Sequence, residues 1–137
     1  MGQTAQVTYK GSLRTSATHL RSGSSIITDA PLDNKGKGEA FSPTDLVATA
    51  LASCLITIMG IKAEQMGINI EGAAADIEKT MDSGPRRIKE VKVKVTMPTH
   101  TSYEAKDMKI LEAAARTCPV ALSLHQETIQ TIDFVWS

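Results

Sequence analysis

Apolar and polar residues alternate with a period of two in several short runs of the chain, a pattern that predicts strands. Runs rich in Val, Ile, Thr and Tyr fill the N-terminal part of the chain and are separated by Gly11 and Gly23. The clearest later run places Val91, Val93 and Val95 on one face and polar residues on the other. The predicted strands are residues 6–10, 13–20, 25–29, 68–79, 88–97 and 129–136.

The period changes to that of a helix between residues 43 and 66. Ser42, Pro43 and Asp45 supply an N-cap hydroxyl, a proline at the first helical position and an acid three residues after the cap. Gly67 supplies a left-handed stop, and at ~1.5 Å per residue the helix is roughly 36 Å long. Because residues 46–61 include no charged side chain, this helix is predicted to be buried nearly all round.

Two shorter helices are predicted nearer the C-terminus, at residues 103–117 and 120–126, with Pro119 as the break between them. Residues 30–41 are rich in Gly and Pro and predict an exposed loop. A loop of this length is expected to border or cover a functional site. The whole pattern indicates one α+β domain, residues 1–137, in which antiparallel sheets wrap around the long buried helix.

Composition narrows the classes of partner. Of the 137 residues, 42% are hydrophobic and 22% are charged, which is typical of a globular domain, and 15 Lys and Arg balance 15 Asp and Glu. Without a net charge, nothing indicates nucleic acid or a membrane surface as a partner. No run reaches the length of a membrane span and no signal peptide is recognisable, so a cytoplasmic protein with a small-molecule or protein partner is expected.

The two cysteines, Cys54 and Cys118, form neither a CxxC pair nor the framework of a disulfide-rich secreted protein. They are either inert core thiols or a reactive pair. Cys54 lies near the middle of the long helix, beyond the reach of the helix dipole, so a reactive thiolate there needs a cation from elsewhere. The candidates on the N-terminal strands are Arg14, His19 and Arg21, and arginine is preferred because it stays charged when desolvated.

Cys118 has a different local setting. Pro119 disfavours a helical conformation for the residue before it and suits the first helical position, so Cys118 is predicted to be the N-cap of the following helix. There its sulfur would face free backbone N–H groups, which stabilise a thiolate. On local grounds alone, Cys118 is therefore expected to be the more acidic thiol.

Three short segments stand out along the chain, Phe-Ser-Pro at 41–43, Ala-Ser-Cys-Leu at 52–55 and Cys-Pro-Val at 118–120. Together they resemble the OsmC/Ohr family of organic hydroperoxide reductases. Thr-Asp-Ala-Pro at 28–31 and Gly-Lys-Gly-Glu at 36–39 resemble the general OsmC-like branch of the family. The resemblance runs in order along nearly the whole chain and includes the spacing from Pro43 to Cys54.

This resemblance implies thiol-dependent reduction of organic hydroperoxides, without a metal or cofactor, in defence against oxidative stress. Cys54 is the implied peroxidatic cysteine and Cys118 the resolving one. The family's thiolate-stabilising arginine falls on Arg14, with Arg21 as the alternative. The resemblance further implies a dithiol reductant, lipoyl or thioredoxin-like, and an intertwined homodimer with its sites between the subunits.

An apolar substrate pocket would suit an organic peroxide, and the residues of the long helix that would form it are Leu51, Leu55, Ile58 and Met59. The peroxidase branches place a Glu directly after the helix-opening proline, where this chain has Thr44. Asp45 and Glu39 are the neighbouring acids that could support the arginine instead. Thr44 and Asp45 lie ~15 Å along the helix axis from Cys54 of the same chain, so an acid there would reach a thiol only across a dimer interface.

Other interpretations are compatible with the same sequence. The chain could be a non-catalytic OsmC-like binding or redox-sensing module, or a hot-dog-like thioesterase with Asp45 as its catalytic acid. A metal site is not predicted, because the cysteines and His19, His100 and His125 lack ligand spacing. A pair of Cys118 with His125 would require the last helix to continue for two turns.

Overall fold

The computed structural model describes residues 2–137 and has the predicted α+β architecture. Its elements are β1 (Ala5–Gly11), β2 (Arg14–His19), β3 (Ser25–Asp29), a 3-10 turn (Leu32–Asn34), α1 (Pro43–Gln65), β4 (Ala74–Ser83), β5 (Arg86–Thr96), α2 (Ala105–Ala115), α3 (Pro119–Ser123) and β6 (Ile129–Val135). The chain divides into two compact units, which we call the N-terminal unit, ending at Val47, and the C-terminal unit, beginning at Ala48. The single-domain organisation stays a prediction.

The N-terminal unit contains an antiparallel sheet in the order β1-β2-β3. A tight turn joins β1 to β2, with Ser12 and Leu13 in the left-handed region at φ 55° and 63°. Gly23, at φ 78°, lies in the next turn and sets a register that places Arg14 of β2 directly opposite Asp29 of β3. The sheet therefore brings a cation and an acid together at one end.

The segment 30–41 is more ordered than an open loop. Its backbone folds back on itself through N–H bonds from Gly36 to the Pro31 carbonyl and from Gly38 to the Ala30 carbonyl. A Cβ atom at Gly36 would lie 1.7 Å from the Ala30 carbonyl oxygen, so the close approach requires glycine. The segment returns to the sheet where the Asp29 N–H binds the Phe41 carbonyl.

The start of α1 is the predicted capping box. The Asp45 N–H donates to Ser42 Oγ at 3.0 Å, and the Ser42 N–H donates to Asp45 Oδ2 at 3.0 Å. The helix ends at Gln65, and Gly67 follows with a left-handed φ of 69°. Both ends of the long helix therefore follow from local sequence.

The prediction that α1 is buried nearly all round is wrong for the single chain. Its buried residues form one stripe, which consists of Ala48, Leu51, Ala52, Leu55, Met59 and Ala63. On other faces of the helix Val47 is 37% exposed and Ile61 is 51% exposed. By length and composition α1 could cross a membrane, contrary to the expectation that no run is long enough, but the core helix of a soluble protein meets the same test.

The C-terminal unit contains a mixed sheet in the order β4-β5-β6. β4 and β5 are antiparallel, and the predicted alternation holds, with Val91, Val93 and Val95 buried. β6 is parallel to β5, so the prediction of purely antiparallel sheets is wrong at this strand. The reason is that α2 and α3 carry the chain back across the unit before β6 begins, and such a crossover connection gives parallel strands.

The strand predicted at 68–79 begins later, at Ala74. The Asn69 side chain accepts the Glu71 N–H at 2.7 Å, and Gly72 has a φ of 98°, so these residues form a turn instead. The core of the unit consists of the buried stripe of α1, the valines of β5 and residues of α2 such as Leu111.

Candidate functional site

The two cysteines lie together in the C-terminal unit. Both are free thiols, and Cys54 is close enough to Cys118 to contribute to the raised pKa of Cys118. Cys118 belongs to the hydrophobic core, and Cys54 packs against that core from α1. The reactive-pair interpretation requires this proximity, although it does not by itself exclude inert core thiols.

Cys54 is the more accessible of the two. It is half-buried on α1, between the fully buried residues Leu51 and Leu55 on one side and the exposed Ser53 and Thr57 on the other. The helical period of 3.6 residues sets this position at the edge of the buried stripe. Part of Cys54 is therefore exposed on the side of the helix that the core leaves uncovered.

Cys118 is the N-cap of α3, as predicted. Its backbone is extended, at φ −64° and ψ 140°, and its Sγ accepts the Ala121 N–H at 3.3 Å. Its side chain, however, has no exposed surface. Burial raises the pKa of Cys118, and this effect outweighs the Ala121 and Val120 N–H groups, which lower the pKa. The expectation that the cap makes Cys118 an especially acidic thiol is therefore wrong.

A surface groove of about 520 Å³ lies between α1 and α2. Its walls are mainly apolar and consist of Ile58, Ile61, Lys62, Gln65, Ile110, Ala113, Ala114 and Thr117. Neither cysteine lines the groove, but Ile58 lies one helical turn after Cys54 and Thr117 directly precedes Cys118 in the chain.

The groove includes only one of the four residues predicted to form a substrate pocket. Ile58 lines it, whereas Leu51, Leu55 and Met59 have no exposed surface and pack in the core. Their helical spacing indicates an apolar stripe, but a core and a pocket wall share the same spacing. The apolar wall beyond Ile58 comes largely from α2, which the sequence analysis did not connect with the site.

Arg14 forms a cluster with two acids in the N-terminal unit. Arg14 Nε lies 2.7 Å from Asp29 Oδ1 and Arg14 Nη2 lies 2.8 Å from Asp29 Oδ2, a bidentate pair, and Nη2 also donates to Glu39 Oε1 at 3.0 Å. Asp29 is 1% exposed. The hydrogen bond from the Arg14 guanidinium holds the pKa of Asp29 below its ordinary value and raises that of Arg14.

Glu39 was predicted from the sequence as a support for Arg14, whereas Asp29 was not. The signal for Asp29 was the turn around Gly23, since the β2–β3 register that follows from it pairs Arg14 with Asp29. Opposite charges directly across an antiparallel pair stabilise the sheet. The acid that holds the arginine therefore lies on a strand rather than at the start of α1.

The other candidate residues of the N-terminal unit have local roles. Arg21 is exposed in the turn after β2, and His19 Nδ1 lies 2.7 Å from Ser22 Oγ. Thr44 Oγ1 lies 3.3 Å from Ser42 Oγ, and the Asp45 carboxylate accepts the Ser42 N–H of the capping box. Asp45 is thus engaged in capping α1, which does not favour the role of a thioesterase acid. Among residues 2–137 no group of three or more His, Cys, Asp or Glu side chains could hold a metal ion.

Comparison with known proteins identifies similar chains. The family model described as OsmC-like protein matches residues 36–132. A candidate osmotic stress induced and detoxification response protein from Psychrobacter arcticus is 51% identical, with a TM-score of 0.93, over 98% of this chain and 96% of that one. None of the curated proteins compared with the chain matches it.

More distant structures share the fold. The organic hydroperoxide resistance protein OsmC from Legionella pneumophila is 17% identical, with a TM-score of 0.75, over 97% of each chain. The organic hydroperoxide resistance protein from Elizabethkingia anophelis, crystallised with thiocyanate, is 15% identical, with a TM-score of 0.73, over 100% of this chain and 99% of that one. At these identities the likeness establishes the fold alone.

Proposed function

The chain belongs to the OsmC-like protein family, and on this premise we propose that it reduces organic hydroperoxides through Cys54 and Cys118. The observation that carries the proposal is the pairing of one accessible and one buried free thiol within interaction distance. A peroxidatic cysteine must meet the substrate, whereas a resolving cysteine needs to meet only the oxidised partner.

The proposed reaction consumes one peroxide and two thiols. The Cys54 thiolate attacks the O–O bond and takes the terminal oxygen as a sulfenic acid, while the alkoxide leaves and is protonated to the alcohol. The Cys118 thiolate then attacks the Cys54 sulfur, and hydroxide leaves as water once it is protonated. The products are one alcohol, one water molecule and a Cys54–Cys118 disulfide.

The burial of Cys118 supports this assignment of roles. A thiol without exposed surface and with a raised pKa is poorly suited to attack a substrate from solution. The same burial supports attack of the dithiol reductant, lipoyl or thioredoxin-like, on the Cys54 sulfur of the disulfide. Cys118 would then leave as a thiolate that accepts the Ala121 N–H.

The groove between α1 and α2 is the proposed binding site for the organic part of the peroxide. Its apolar wall starts at Ile58, one turn from Cys54, and Ile110 and Ala113 extend it along α2. An apolar chain or ring gains about 25 cal/mol for each Å² of surface that it buries there, a gain not available to hydrogen peroxide. The groove therefore supports an organic rather than an inorganic peroxide as the substrate.

A homodimer is part of the proposal, with Arg14 serving the Cys54 thiolate. Support for the dimer comes from apolar side chains that a single chain leaves uncovered. Val7, Tyr9 and Ile26 are 64%, 63% and 51% exposed on the N-terminal sheet, and Ile61 is 51% exposed on α1. Exposed apolar residues on one face of a sheet, such as Val7 and Ile26, are typical of interaction surfaces.

Mass spectrometry after one equivalent of cumene hydroperoxide tests the proposal. The wild-type chain should lose two hydrogens, about 2 Da, as the disulfide forms. Cys54→Ser should not react, and Cys118→Ser should gain one oxygen as a Cys54 sulfenic acid that a trapping reagent captures. An unchanged mass for the wild-type chain would contradict peroxide reduction and leave a binding module as the better interpretation.

A further inference from the structure

We propose that Asp29, assisted by Glu39, is the positioning residue that orients Arg14 toward the reacting thiol. This inference rests on the proposed function and adds a residue to it. It assigns to a strand position the role that the resemblance would give to an acid directly after Pro43, where this chain has Thr44.

The Arg14–Asp29 pair has a geometry that fixes the arginine side chain. Two parallel contacts, of 2.7 Å and 2.8 Å, join Nε and Nη2 to the two carboxylate oxygens. A bidentate pair fixes the plane of the guanidinium as well as its position. Asp29 is itself held, because it is 1% exposed and its Oδ2 accepts the Glu39 N–H at 3.2 Å.

The two acids do not use all the N–H groups of the Arg14 guanidinium. A guanidinium has five, and the two acids accept those of Nε and Nη2. Neither acid accepts from Nη1, which carries the other two N–H groups. Arg14 is 28% exposed, so these groups can donate to an anion that meets this side of the unit. A thiolate or a peroxide oxygen is such an anion.

The charge of Asp29 and its positioning role would affect the reactivity of Cys54 in opposite directions. Asp29 and Glu39 together carry more negative charge than Arg14 carries positive charge, so they do not act by making the cluster more cationic. If charge alone mattered, removal of the Asp29 charge would favour a thiolate at Cys54 and increase its reactivity. If Asp29 positions Arg14, its removal releases the guanidinium and reactivity decreases. The two roles therefore predict opposite signs.

The experiment compares Asp29→Asn, Arg14→Ala and the double variant in the full chain. The readouts are kcat/KM for cumene hydroperoxide and, in a Cys118→Ser background, the rate at which iodoacetamide alkylates Cys54 at neutral pH. Each single variant should lower both rates by on the order of 10- to 100-fold, the range that misplacement of a catalytic group produces. The double variant should be no slower than Arg14→Ala, because Asp29 acts only through Arg14.

A matched control removes another ion pair of the same length. Arg87 Nη1 lies 2.8 Å from Glu127 Oε2 in the C-terminal unit, and Glu127→Gln should leave both rates unchanged. Glu39→Gln is the second test variant, since Glu39 is 65% exposed and its replacement does not endanger folding. It should lower both rates less than Asp29→Asn does, and only when Arg14 is present.

The outcomes separate this inference from the proposed function. A wild-type chain that forms no disulfide with peroxide would contradict the proposed function itself. An active wild type with a slow Arg14→Ala and a normal or faster Asp29→Asn would overturn the positioning role alone. If Asp29→Asn lowered the two rates by the same factor in the wild-type chain and in the Arg14→Ala variant, the positioning role would also be overturned. Such a loss would not act through Arg14 and would be structural. If circular dichroism shows Asp29→Asn unfolded, absence of an effect in Glu39→Gln overturns it instead.

Discussion

The N-terminal unit and the C-terminal unit are each stabilised internally by a different kind of interaction. Every buried hydrophobic residue of the described chain lies at or beyond Ala48, whereas the buried residues before it are Thr28, Asp29 and Ser42, all polar. The C-terminal unit therefore has an apolar core, and the N-terminal unit has a hydrogen-bonded and charged one. The difference corresponds to the proposed chemistry, since the thiols lie in the dry unit and the cation lies in the polar one.

The largest expected effect tests whether a small thiol from solution reaches Cys54 in preference to the buried Cys118. When the peroxide-oxidised chain reacts with a monothiol such as N-acetylcysteine, the mixed disulfide should form at Cys54, because Cys118 has no exposed surface. After N-ethylmaleimide treatment and trypsin, the adduct should appear on peptide 38–62 and the maleimide on peptide 117–137. An adduct found mainly on the second peptide would show that Cys118 becomes accessible on oxidation.

The next effect measures the apolar core directly. Leu111→Ala removes a fully buried side chain of α2 and should lower the free energy of unfolding by about 2–5 kcal/mol, measured in urea. Leu122→Ala, the control on α3, removes a side chain that is 75% exposed and should change it by at most about 0.5 kcal/mol. If both variants lowered the free energy of unfolding equally, Leu111 would not belong to a more stabilising core than Leu122 does.

The success of the sequence-based predictions divides differently, between features set by neighbouring residues and features set by distant elements. The capping box of Ser42 and Asp45 and the N-cap role of Cys118 depend on a few neighbouring residues, and both predictions are confirmed. The alternation of Val91, Val93 and Val95 is likewise local to one strand. Features set by a turn, a cap or a strand period were therefore predictable.

Features that depend on distant elements were not predictable in this way. The pKa of Cys118 depends on the core that surrounds the cap, and the direction of β6 depends on the crossover through α2 and α3. The exposed side of α1 reflects how few elements of one chain cover it. Asp29 became part of the candidate site only through the register of β2 and β3. Each of these requires knowledge of which elements pack together.

A smaller effect concerns what covers the apolar side chains of the N-terminal unit. Val7, Ala17 and Ile26 are aligned across the three strands and share one face of the sheet. Ile26→Asp should weaken the proposed dimer by a factor of 10 or more, about 1.4 kcal/mol, because a charge must then be desolvated in the interface. Analytical ultracentrifugation over a range of concentrations measures the change.

The control for that variant lies on the same sheet. Thr8→Asp introduces the same charge on the opposite face of β1 and should leave the dissociation constant nearly unchanged. A monomeric wild type, or equal weakening by both variants, would mean that this face does not contact a second copy.

The smallest effect is a difference between the units in their response to pH. The pKa of Asp29 is lowered in the folded state, so its contribution to stability is present above its unfolded value of about 3.9 and is lost as the pH falls through the folded value. The pKa of Cys118 is raised, so the buried thiol contributes below its unfolded value of about 8.5, and this contribution is lost as the pH rises through the folded value. The polar unit is thus expected to weaken in acid and the apolar unit in alkali.

Matched variants isolate the two contributions. The melting temperature of Asp29→Asn should fall less between pH 7 and pH 3 than that of the wild type, since the variant has no carboxylate to protonate. Cys118→Ser keeps a side chain that can cap α3 and should lose less stability than the wild type between pH 7 and pH 10. If each variant instead responded to pH as the wild type does, Asp29 and Cys118 would not be the groups through which the polar and apolar units differ.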